Sequence, residues 1–248
     1  MHWAKTYFLR SHPAWYIAVI FLLGLVQPPA WATGTASGTT ISSVSTLSYS
    51  VGDAPAAEIL SSPTGNSSDA GTPTTFVVGS KINVVVAKVG GAATNVTAGQ
   101  VGAVTTFSVT NNGNATQDYA LSTSNLANGV ALFGGLDNLD ATGCKVFVET
   151  NGVAGYQPEM DTASFIDELQ QDTSKAVYVV CNIPVGQAGD EAVIDLIASA
   201  RSGLDAGVLG VDVRQTSAVL FADAAGSDDA VGDGKYSARD AYVLVPRN

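Results

Sequence analysis

Five aspartates, Asp223, Asp228, Asp229, Asp233 and Asp240, fall within 18 residues, with Ser227, Ser237 and several glycines between them. Carboxylate and carbonyl oxygens at that density suit Ca²⁺, which takes about six to eight oxygen ligands. The spacing is not that of an EF-hand loop, and Lys235 and Arg239 in the same stretch offer to neutralise the acids without a metal. The expectation is a Ca²⁺ site at these five residues, set against a solvated acidic loop that blunts a sheet edge.

A second acidic group, Glu149, Glu159, Asp161, Asp167, Glu168 and Asp172, straddles the insertion between two cysteine-bearing runs. Two carboxylates at a defined separation can cleave a glycosidic bond as acid and base. Here no pattern sets that separation, and no aromatic run lies beside the acids to hold a sugar ring. Both histidines, His2 and His12, precede residue 33, in a segment expected to be removed. The remainder lacks the commonest catalytic base and metal ligand, which excludes a serine–histidine triad. No Gly-x-Ser-x-Gly elbow precedes a helix, and Gly90-Gly91 has no Gly-Lys-Ser/Thr sequel. The expectation is no enzyme. Of the tyrosines, Tyr156 in the insertion and Tyr236 in the acidic stretch are the expected exposed contacts.

The elements that must position these residues read as β-strands. Short alternating or β-branched runs separated by Gly, Asn, Asp and Pro predict strands over 40–51, 74–78, 82–89, 101–110, 117–124, 144–149, 176–183, 192–200, 208–213, 217–222 and 241–245. Thr105, Phe107 and Val109 alternate with Thr106, Ser108 and Thr110, as in a sheet with one wet face. Asn111-Asn112-Gly113-Asn114 is expected to close a hairpin. The stretch 164–169 is the helix candidate, with Ser164 and Asp167 spaced as a capping box. Residues 61–73 are linker-like in composition. The fold class expected is all-β, an immunoglobulin-like sandwich over 81–200. Flanking strands at 33–80 and 201–248 would extend it or form a second small β unit.

The first residues carry Lys5 and Arg10, then an apolar run over 14–26, then Pro28-Pro29 and Ala30-Trp31-Ala32. That order is the signature of a secretory signal over 1–32, and 13 apolar residues fall short of the roughly 20 a membrane span needs. Cleavage after Ala32 would leave 216 residues with nine basic and 22 acidic side chains. So acidic a surface repels phosphate backbones and anionic lipid heads, which argues against nucleic acid or a membrane surface as partner, and with no second apolar stretch long enough to span a bilayer no membrane insertion of the mature chain is expected. In an oxidising compartment Cys144 and Cys181, each in an apolar strand-like run, are expected to form a disulfide.

The runs Ile82-Asn83-Val84-Val85-Val86-Ala87 and Phe107-Ser108-Val109-Thr110-Asn111-Asn112-Gly113-Asn114, continuing into Ala115-Thr116-Gln117-Asp118-Tyr119-Ala120-Leu121, resemble the core of immunoglobulin-like repeats in bacterial surface proteins, the CARDB-like adhesion repeats and related domains. The lead-in 38–49 and the tail 220–229 are similar to flanking segments of such proteins. This chain departs from them in having room for one repeat, and one acid at 149–152 where relatives tend to carry an Asp-rich calcium-type loop. The resemblance implies a secreted or cell-surface adhesive or structural module that binds a protein, a glycan or itself. A filament subunit assembled by strand exchange through 40–51 is the alternative, and a secreted glycoside hydrolase the remote one.

Overall fold

The computed structural model describes residues 34–66, 71–126, 129–203 and 205–246. The expected signal at 1–32, with His2 and His12, lies outside them, as does part of the 61–73 loop. Among the described residues there is no α-helix, and no helix long and apolar enough to cross a membrane.

Nine strands build the body: β1 (Val84–Lys88), β2 (Thr94–Val96), β3 (Ala103–Asn111), β4 (Gln117–Asn125), β5 (Thr142–Val148), β6 (Phe165–Leu169), β7 (Thr173–Asn182), β8 (Asp190–Ser202) and β9 (Lys235–Leu244). They form two sheets, ordered β5-β7-β3-β1 and β6-β4-β8-β9-β2, the second extended by Leu136–Asp137 alongside β8. The fold is an all-β sandwich. Along β3 the predicted alternation holds from end to end: Ala103, Thr105, Phe107, Val109 and Asn111 are buried, and the residues between them are half-exposed. Phe107, Val109, Val177 and Val179 from the smaller sheet share one apolar core with Ile194, Leu196, Ala198 and Tyr242 from the larger. Buried polar bonds tie the sheets across it, among them those of Tyr242, Thr105 and Asn111. The Tyr242 hydroxyl donates to the Val179 carbonyl at 2.7 Å, and the Thr105 hydroxyl donates to the Asp240 carboxylate. Cys144 and Cys181 are joined as expected, between neighbouring strands β5 and β7 of the same sheet.

The sandwich does not end at residue 200. Strand β9 is interior to the larger sheet, paired antiparallel to β8 and parallel to β2, and Val219–Phe221 pairs parallel with Ser80–Ile82. The run predicted as a strand at 208–213 makes one isolated bridge, Arg201 to Asp212. Gly210 lies so close to the Ser202 carbonyl that any Cβ would collide with it. That approach bends the segment out of a ladder.

Two turns differ from expectation. Asn111–Asn114 does not close a hairpin, because β3 and β4 belong to different sheets. Asn111 is fully buried and bonds the Ala115 and Leu169 carbonyls and the Gly113 N–H, so the segment carries the chain over the edge of the core. The predicted helix at 164–169 is strand β6. Its Ile166 pairs with Tyr119 and its Leu169 with Gln117, so three residues on one strand span two on the other. The extra residue is a bulge containing Glu168, at φ +50°. A bulge turns an apolar period of two into three, and three is the helical spacing.

The described residues of 40–77 form their own two-stranded antiparallel ribbon. Thr40–Ser43 pairs with Thr74–Val77, Thr46–Leu47 with Ile59–Leu60, and Ser50–Val51 with Ala54–Pro55. Asn114 clamps its root, accepting from the Lys81 N–H at 2.7 Å and donating to the Thr35 and Gly79 carbonyls. Thr40 to Val51 therefore does not hang free.

Candidate binding sites

The five predicted calcium ligands do not converge. Asp223, buried, accepts the backbone N–H groups of Asp233 and Gly234 at 3.1 Å. Asp233 caps Lys235 N–H at 2.9 Å. Asp229 accepts from Gly226 N–H at 3.0 Å and from the Ser237 hydroxyl, while Asp228 is paired with the Arg239 guanidinium. Asp240 sits between the sheets, taking the Thr105 hydroxyl and its neighbour's N–H, with Lys88 Nζ at 3.6 Å. Asp223, Asp228, Asp229 and Asp233 hold the turns before β9 and its start, and Asp240 ties the middle of β9 to β3.

The second acidic group divides in two. Asp167 and Glu168 on the β6 bulge meet Asp118 of β4, their carboxylate oxygens within 4.8 Å of one another. These are the residues that could hold a hard cation. Asp118, fully buried, accepts Glu168 N–H and Gly210 N–H at 2.8 Å, and Asp167 accepts Gly207 N–H at 2.9 Å. Glu168 Oε1 is shut off from solvent without a hydrogen-bond partner. Desolvation and the neighbouring Asp118 and Asp167 charges raise the Glu168 carboxyl above the usual range. Sequence reasoning missed Asp118, whose partners Glu168 and Gly210 lie 50 and 92 residues away.

The other half organises the insertion. Glu149 Oε1 accepts Asn151 and Gly152 N–H at 2.8 Å, and its Oε2 accepts the Tyr178 hydroxyl at 2.8 Å. Asp161, fully buried, accepts Thr150 N–H at 3.1 Å and Gln157 N–H at 2.8 Å. The Tyr178 bond, followed by the backbone donors, holds Glu149 below the usual carboxylate range, while burial and Glu149 push the Tyr178 phenol up to about 12. So Tyr178 stays a donor and Glu149 stays charged. The loop 149–163 thereby folds back over the outer face of the smaller sheet, where Tyr156 stacks on Phe147 at 5.1 Å and tilts against Tyr178 at 5.7 Å. Aromatic rings from three separate segments thus gather beside the acids, which no local run announced. Neither Tyr156 nor Tyr236 is the exposed contact expected. Tyr156 is engaged in this stack, and Tyr236 packs against the core. Between loop and sheet lies a groove of about 500 Å³.

The ribbon displays a series of apolar side chains. Leu47, Tyr49, Val51, Phe76 and Val77 are all exposed, Val51 by 70% and Phe76 by 60%.

No family model and no curated protein matches the chain. Among solved structures it is similar to one described as "AvmM Catalyzes Macrocyclization in Alchivemycin A Biosynthesis", with 13% identity over 70% of this chain and 93% of that one, at a TM-score of 0.34. A likeness at that level carries no argument about function.

Proposed function

We propose that this chain is a non-catalytic structural or adhesive module that works at a cell surface or outside the cell, related to the immunoglobulin-like repeats it resembles. The observation that carries this reading is the ribbon at 40–77, a paired arm with open edges and an exposed apolar series. An isolated two-stranded ribbon is marginally stable in water, and exposed apolar strands are surfaces for pairing with another chain. The Cys144–Cys181 disulfide fits an oxidising compartment. Glu149, Asp161, Asp223 and Asp228 are engaged with backbone N–H groups, a hydroxyl or an arginine, which favours binding over chemistry at those positions.

Filament assembly is the second reading, favoured by the same open edges. Because 40–51 is already paired, it would proceed by strand addition to the ribbon rather than exchange of a free strand. Sedimentation velocity and negative-stain microscopy of the mature chain test both. Association that disappears in Leu47→Ser/Phe76→Ser, with the melting temperature of the body unchanged, is expected. Monomers at all concentrations would end the filament reading, and surface binding indifferent to the double substitution would end the adhesive one.

A further inference from the structure

The groove under the 149–163 loop has a floor fixed by strand register. Thr106, Tyr178 and Phe147 are cross-strand partners on the outer face of the smaller sheet, and Ala176 lies opposite Ser108 in the next row. Val89 and Val104 flank that floor, while Gly152, Ala154 and Gly155 of the loop form the opposite wall. Gly152 and Gly155 have φ of +77° and +93°, a backbone that side chains rarely adopt, so the wall stays thin. At about 500 Å³ the groove falls within the range of ligand sites, roughly 300–1,000 Å³.

Its charge is one-sided. Glu149 lines the groove, Asp161 is buried in the same loop, and no lysine or arginine lines it. Lys88 points to the inner face by strand alternation, where Asp240 and the Phe133 ring hold it. Lys145 shares the outer face but lies beyond Phe147, exposed and outside the groove. The three ion pairs among the described residues leave Glu149 without a cation.

Glu149 Oε1 accepts the Asn151 and Gly152 N–H groups and Oε2 the Tyr178 hydroxyl, with the Val153 N–H also acting on the carboxylate. Oε2 thus carries one hydrogen bond. That suits the point charge of an ammonium better than the two-pronged guanidinium, and apolar walls suit a methylene stem better than a hydrated metal. A glycan would need an open aromatic face, but Tyr178 is buried and the three rings lie against one another.

We propose that this groove takes a lysine side chain presented by an extended segment of a protein partner, its ammonium on Glu149 and its methylenes along Val89, Val104 and Ala154. The site goes beyond the ribbon reading and uses different residues. Its probe is Nα-acetyl-lysine methylamide, titrated calorimetrically into the full mature chain. Saturable binding is expected, weakened at least tenfold when the norleucine analogue replaces lysine. Glu149→Gln should weaken it similarly, because the amide oxygen still accepts both N–H groups while the NH2 that replaces Oε2 has neither the charge nor an acceptor for the ammonium. Ala154→Trp, at an exposed loop position, should block the groove and keeps the test open should Glu149→Gln disturb the loop. Absence of saturation, equal affinity for norleucine or for the arginine analogue, saturation by N-acetylglucosamine instead, or full binding in Ala154→Trp would each overturn the proposal. Leu47→Ser/Phe76→Ser should leave lysine binding unchanged, so failure of the ribbon reading and failure of this one are separately visible.

Discussion

The ribbon and the sandwich are made of the same residue types, Thr, Ser, Val and Phe in short runs, yet they are held by different forces. In the sandwich, Phe107 and Leu196 are completely buried between two sheets. In the ribbon, Phe76 and Val77 pair through their backbone with Ile41 and Thr40 and leave their side chains in water. Backbone pairing exchanges hydrogen bonds with water at small net gain, whereas apolar burial is the main favourable term in folding. The sandwich thus carries its own apolar core, whereas the ribbon rests on backbone pairing and on the Asn114 clamp at its root.

The comparison breaks most readily at the disulfide. Cys144→Ser with Cys181→Ser frees a loop of 37 residues' separation and should lower the body's stability by about 4 kcal/mol in urea unfolding, while leaving ribbon exchange rates alone. Leu196→Ala should cost about 3 kcal/mol by the same measurement, and Phe76→Ala less than about 0.5. If Phe76→Ala cost as much as Leu196→Ala, the ribbon would be packed rather than free. Asn114→Ala removes three side-chain bonds at the junction of the two regions. It should loosen the ribbon locally by about 1–2 kcal/mol, seen as faster amide exchange over 40–77 with the main melting transition nearly unmoved. The smallest effect is expected at Glu168. A carboxyl raised in the folded state binds its proton more tightly there than in the unfolded chain. Stability is therefore gained as pH falls through its folded value and is lost again above it. Glu168→Gln should raise the melting temperature at pH 7, with the difference shrinking as pH drops toward the ordinary glutamate range.

What was legible in the sequence was whatever depends on near neighbours. The alternation of Thr105, Phe107 and Val109 gave the buried face of β3, and two cysteines in strand-like runs gave the disulfide. The bulge at Glu168 was hidden because it mimics helical spacing. The role of Asn111 was hidden because turn residues look alike whether a chain doubles back or changes sheet. The acids were the hardest to read. Glu191 is fully buried and its carboxylate accepts from Leu132, Phe133 and Gly135 N–H, donors 56 to 59 residues away. Composition counts charges and cannot see such partners. In a chain whose described residues include no helix, long loops need fastening, and buried carboxylates on backbone N–H groups do it.

Strand β9 has one more implication, for the order in which the molecule assembles. Synthesis delivers a polypeptide progressively, and the larger sheet lacks an inner member until residues 235–244 arrive to lie between β8 and β2. The larger sheet is complete only once that strand is in place. Strand β9 follows β1 to β8 in the chain, so the piece that joins β8 to β2 is the last of the nine to become available for pairing.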